Sequence, residues 1–128
     1  IVETLPGMLP LNCNRRMNEL MVENSRKAYP SVDIKDAGHF SASTDMGDVS
    51  HLMPVIHPFI GGTEGLLHTG GFHAVDFNAA VLLPAKAFAM MLVDLLADDA
   101  KEAKEILADF KPILTKEEYI EKMESYFS

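Results

Sequence analysis

Tryptophan is absent from this chain, and cysteine occurs once, as Cys13. A single thiol excludes an internal disulfide framework and fits a reducing, cytoplasmic compartment. Cationic side chains are scarce: 11 Lys and Arg face 19 Asp and Glu, for a formal net charge of −8. Nucleic-acid binding needs a basic face against the phosphates, so no nucleic-acid partner is expected. Internal repeats and low-complexity tracts are missing as well. The first residue is Ile1, with no initiator methionine and no signal-peptide pattern behind it. The chain is therefore expected to be processed or truncated.

What is present is the composition of a soluble globular domain, 48% hydrophobic and 23% charged over 128 residues. That length fits one domain. One long apolar run stands out, NAAVLLPAKAFAMMLVDLLA at residues 78–97. It approaches the roughly 20 residues that span a bilayer. Lys86 and Asp94 lie inside it and Pro84 interrupts its first turns, and internal charges are costly in hydrocarbon. No membrane partner is expected. A helix apolar on all sides reads instead as the buried central helix of a layered domain.

Local signals place the remaining elements. Residues 1–11 combine strand-like residues with Pro6 and Pro10, which cannot donate to a ladder, and so read as an edge strand or connecting arm. Asn12 or Asn14 caps a helix to about Tyr29, with Met17, Leu20, Met21 and Ala28 as its apolar stripe and Pro30 as its stop. Val32 and Ile34 alternate with charged residues, as in a short strand. Thr44 or Asp45 caps a short helix over residues 49–52, and the apolar run PVIHPFI at 54–60 predicts a buried strand. A loop over 61–76 leads to the long helix, followed by an amphipathic helix at 99–110. A last helix, 115–127, opens with a capping box, Thr115 and Glu118. Alternating helices and apolar strands predict an α/β layer with a mainly parallel sheet. Two or three strands are too few to stand alone in such a sheet, so a piece of a larger domain is expected.

All five histidines fall within residues 38–76: His39, His51, His57, His68 and His73, together with Asp45 and Asp48. Imidazole and carboxylate are the groups most used for metal ligation and proton transfer near neutral pH. In α/β sheets ligands sit beyond the carboxyl ends of strands, which puts Glu64, His68 and His73 on the expected functional edge. No HxxxH, HxH or CxxC spacing occurs in the segment, so no closed metal site can be drawn. His57, within an apolar run, reads as a satisfied core histidine, and His51 as a group packed near the Asp45 loop. Asp48 reads as structural or capping, and Lys86 as the partner of an acidic neighbour. His39 and His73 carry no specific signal.

The run Ser43-Thr44-Asp45-Met46-Gly47-Asp48-Val49-Ser50-His51, then Val55-Ile56-His57-Pro58 and His68-Thr69 before a long apolar helix, resembles the metal-dependent amidohydrolases of the aminoacylase–carboxypeptidase superfamily. The branch it is most similar to is that of the aminobenzoyl-glutamate hydrolases. The resemblance implies a partial three-layer αβα, zinc-exopeptidase-like catalytic domain, helix-rich and with two or three strands here. Residues 1–11 would be the exit strand from an absent inserted lid and dimerisation domain, and 12–128 the C-terminal segment of the catalytic domain. It implies two divalent metal ions, zinc or manganese, in the full-length enzyme, and a small-molecule amide substrate. The partners implied are the remainder of the same domain and a second subunit, in a homodimer formed through the lid. His68 would be a metal ligand, although Gly70 stands where relatives often have proline. Asp45 would be a supporting carboxylate, with helix capping as its ordinary alternative. No base and no other ligand of the family has a counterpart, so the isolated chain is expected to be inactive. The competing reading is a stand-alone α/β interaction module with structural histidines.

Overall fold

The computed structural model describes residues 7–35 and 43–127. Residues 1–6 of the expected exit strand, His39 in the loop at 36–42, and the last residue lie outside that description. The described chain is mostly helical, with one small sheet.

Helix α1 (Arg15–Ala28) begins where the Asn14 side chain accepts the Met17 N–H at 3.0 Å. It ends at an extended Tyr29, before Pro30. Arg26 and Lys27 in the last turn complement the helix dipole. Helix α2 (Met46–Ser50) follows. Strands β1 (Thr63–Glu64) and β2 (His73–Ala74) pair antiparallel, Thr63 opposite Ala74 and Glu64 opposite His73. A π-helical turn, Asn78–Leu82, runs directly into α3 (Leu83–Asp109), whose first turn contains Pro84. Helix α4 (Lys116–Glu124) has the expected capping box, Glu118 N–H on Thr115 Oγ1 at 3.1 Å and Thr115 N–H on Glu118 Oε2 at 2.7 Å. The Thr115 N–H first, and then the Thr115 side chain, hold the Glu118 carboxyl below the usual carboxylate range.

Two expected strands are absent from ladders. Residues 32–35 and 54–60 carry no strand pairing, because no neighbouring strand lies beside them among the described residues. The sheet that does form is a two-stranded antiparallel hairpin inside the expected loop, not the parallel layer that the alternating pattern predicts.

The core is small. Leu20 and Met21 of α1 meet Ala87 and Met91 of α3 and, from further along the same helix, Ile106. Ala87 is fully buried, its small side chain set against the core cluster. Asn24, also buried, donates from Nδ2 to the Leu20 carbonyl at 3.0 Å and to Asp94 Oδ2 at 2.7 Å, while its Oδ1 has no partner. That pair accounts for the carboxylate inside the apolar run; Lys86 is exposed and has no acidic partner among the described residues. The long helix is not buried on all sides as its composition predicts. Phe88, Leu92, Val93 and Leu96 are exposed, because only the face toward α1 is covered. The helical stretch Asn78–Asp109 is also long and apolar enough to cross a bilayer, a property that core helices share.

Helix α3 bends sharply. Ala97 is extended, and Asp98, Asp99 and Ala100 take φ of 49°, 59° and 56°. Each non-glycine residue in that left-handed region costs about 1–2 kcal/mol. The bend matches the boundary expected between helices at 78–97 and 99–110, and it turns the second arm back onto α1. Ile106 is buried there, and Glu102 accepts two hydrogen bonds from Arg16, Nη2 to Oε2 at 3.1 Å and Nε to Oε1.

The Arg16 guanidinium holds the Glu102 carboxyl below the usual carboxylate range, mainly through this hydrogen bond. A lowered carboxylate contributes stability that is present above its unfolded pKa and is lost as pH falls through its folded value. Glu102→Gln is therefore expected to flatten the loss of stability below about pH 4.5. Urea unfolding at stepped pH checks this, an unchanged acid limb being the contrary result.

Candidate functional site

The first run that carries the resemblance, residues 43–51, forms α2 and its flanks. Thr44 Oγ1 accepts the Met46 N–H at 3.4 Å and donates to Asp45 Oδ1 at 3.2 Å. Of the two expected caps it is therefore Thr44 that touches the helix start; Asp45 makes no capping bond and is exposed. Gly47 is buried against the arm at Leu9: a Cβ built there would lie 1.9 Å from the Leu9 carbonyl oxygen. Only glycine allows that approach.

Around this contact the neighbouring side chains serve backbone groups. Asp48 Oδ1 accepts the Leu9 N–H at 2.9 Å. Ser50, fully buried, accepts the Asn12 N–H at 3.0 Å and donates to the Gly47 carbonyl. His51 Nδ1 lies 2.9 Å from the same carbonyl, which puts the proton on Nδ1 and leaves Nε2 an acceptor. The His51 carbonyl takes the N–H groups of Ile113 and Leu114 at 3.0 and 3.2 Å. The Asn14 N–H, at the start of α1, bonds the Val55 carbonyl at 2.8 Å. Tyr119 of α4 reaches Asp48; burial first, then the carboxylate's charge and hydrogen bond, raise its phenol pKa. Asp48 is thus structural, as its sequence position suggests, and His51 packs within hydrogen-bond reach of the Asp45 loop.

His57 departs from expectation. It is half-buried with its ring edge-on to Phe59 at 5.2 Å, but among the described residues its buried Nδ1 has no partner, where a satisfied core histidine was expected.

His68 sits at the tip of the β1–β2 hairpin, exposed, at φ 63°. The tip is closed by Thr69, whose N–H and hydroxyl both donate to the Leu66 carbonyl, at 3.3 and 2.7 Å. Gly65, at φ 93°, permits a close approach to the Gly71 carbonyl. The His68 imidazole has no hydrogen-bond or ion-pair partner among the described residues. His73 stands opposite Glu64 and donates from Nδ1 to the Gly71 carbonyl at 2.7 Å. At the base of the hairpin the Gly62 carbonyl accepts the Val75 and Asp76 N–H groups, and Asp76 Oδ1 accepts the Ala79 N–H at 3.1 Å. The hairpin is thereby tied to the start of the long helix.

Sequence reasoning placed a short helix near α2 and His68 in a loop, but missed the hairpin and the part played by Tyr119. The spaced glycines Gly62 and Gly65, both at positive φ, were the available signal for the hairpin. Among the described residues no three of His, Cys, Asp and Glu gather as a metal-holding group. One free imidazole does not fit a two-metal centre, and no metal step is derived for this chain. A cleft of about 430 Å³ lies elsewhere, lined by Cys13, Arg15, Arg16, Glu102, Asp109 and Phe110 among others, and contains none of the expected site residues. Compared with family models, curated proteins and solved structures, the chain matches none of them.

Gly47→Ala is expected to destabilise the fold by about 3 kcal/mol or more, because the clash is with backbone. Asp45→Ala is expected to stay within about 0.5 kcal/mol of wild type. Urea titrations of both variants measure the contrast, and similar losses would contradict it.

Proposed function

We propose that this chain is the C-terminal catalytic segment of a cytoplasmic two-metal amidohydrolase. Its substrate would be an N-acyl amino acid, aminobenzoyl-glutamate or a dipeptide-like amide. The observation that carries this reading is His68. It is an exposed imidazole without a partner among the described residues, on a glycine-flanked hairpin tied to the start of a long apolar helix. That is where the resemblance calls for the last metal ligand.

The exposed Phe88, Leu92, Val93 and Leu96 support the same reading. The remainder of the catalytic domain would cover them and complete the three-layer arrangement, with a lid domain forming the homodimer. Asp45, exposed beside Thr44, is free to serve as the supporting carboxylate. The ions, zinc or manganese, would draw their other ligands and the base from that remainder, so the isolated chain is inactive.

A second reading is favoured by α2, where Gly47, Asp48, Ser50 and His51 are all engaged in holding the fold. On that view the chain is a stand-alone interaction module whose histidines are structural. The reading frame ahead of the Ile1 codon separates the two. A His-x-Asp motif and an adjacent glutamate pair support the enzyme; a start codon close to Ile1 supports the module.

Zinc titration by calorimetry tests His68 directly. Weak one-to-one binding by the wild-type chain that is lost in His68→Ala is the expected outcome. Equal binding by both chains would overturn the assignment of His68.

A further inference from the structure

The bend in α3 is strained where the sequence offers little to favour it. Residues 97–101, ADDAK, contain no glycine, asparagine or proline, yet three in succession are left-handed. Ala97, Ala100 and Lys101 are strong helix formers, and Asp98 and Asp99 belong to a type that visits the left-handed region only as single residues, not three in a row. The ion pair across the bend, Lys104 Nζ to Asp99 Oδ2 at 2.6 Å, is exposed and holds it only weakly.

What keeps the bend is the docking of the arm beyond it. Residues 101–127 place Ile106 in the core, Glu102 on Arg16, the N–H groups of Ile113 and Leu114 on the His51 carbonyl, and Tyr119 against Asp48. Each of these contacts joins the arm to the body, residues 7–97, and none requires both to belong to one chain. Short hinges under strain invite exchange of such an arm.

We infer that two copies of this chain exchange residues 101–127. Straightening α3 through residues 97–100 lets the arm of each copy dock on α1 and α2 of the other. Every arm-to-body contact is remade between copies, and only the strained backbone and the weak Lys104–Asp99 pair across the bend are lost. The occupant of the surface at Arg16, Leu20 and His51 is then the partner's arm. This inference is independent of the amidohydrolase reading.

Light scattering behind size exclusion, after refolding over a range of concentrations, should show the wild-type chain dimerising as concentration rises. Ala100→Gly favours the bent form over the straight one and should raise the dimer dissociation constant by about tenfold or more. Arg16→Glu and Glu102→Arg each place like charges at the docking contact. Refolded together, they should give a heterodimer in preference to either homodimer, since both crossed contacts pair Glu with Arg; native mass spectrometry distinguishes the three species. A wild-type chain that stays monomeric overturns the inference, as does a dimer indifferent to Ala100→Gly. Statistical mixing of the charge variants would also overturn it, because association through another face ignores the Arg16–Glu102 pairing.

Discussion

The approach of Gly47 to the Leu9 carbonyl is the constraint from which the rest of the structure follows. A five-residue helix is too short to hold itself together in water. Here it is fixed from outside. With no Cβ in the way, the arm lies directly on α2, and only then can Asp48 and Ser50 reach the Leu9 and Asn12 N–H groups. The same placement brings Asn14 to the Val55 carbonyl and so sets where α1 starts. At its other end α2 presents the His51 carbonyl to Ile113 and Leu114, which positions α4. Four chain segments thus meet at a helix of little stability of its own.

The α1–α3 contact has a different character. Its apolar part is modest, five buried side chains, and a polar pair, buried Asn24 with half-buried Asp94, lies beside it. A buried amide needs its partners in place, so the pair penalises any slippage of α1 along α3 more than Leu or Met alone would. The bend at 97–100 opposes the packing, since left-handed residues must be held by contacts made further along. The core therefore stabilises two things at once, the helix pair and the strained turn that completes it.

Features set by neighbouring residues were legible in the sequence. Asn14 before α1, Pro30 after it, and the Thr115–Glu118 box all act within one helical turn, and all stand where expected. Features that depend on a distant partner were not. The apolar run 54–60 has the composition of a buried strand, but a strand needs a neighbour, and Val55 instead gives its carbonyl to Asn14. His57 was expected to be satisfied because it lies among apolar residues; that pattern says nothing of whether its Nδ1 finds a donor or an acceptor. The break near residue 98 was expected from the sequence, but its left-handed form was not legible, because Asp visits that conformation only as a single residue and Ala100 does not favour it. His68 was legible as a loop histidine on the edge of the long helix, whereas its freedom from partners follows from the hairpin's own closure by Thr69.

The run from Ser43 to His51 also shows what a motif of this kind records. Gly47 is demanded by backbone proximity, Asp48 and Ser50 by orphan N–H groups, and His51 by a carbonyl one turn back. Each requirement is architectural, and each would hold whether or not a substrate ever met the domain. Similarity in such a run therefore speaks to the shape of the chain before it speaks to a reaction. Function has to be argued from groups that the fold leaves unused. Among the described residues those are an imidazole at a hairpin tip, the Asp45 carboxylate that only neighbouring Thr44 touches, and a helix face left exposed.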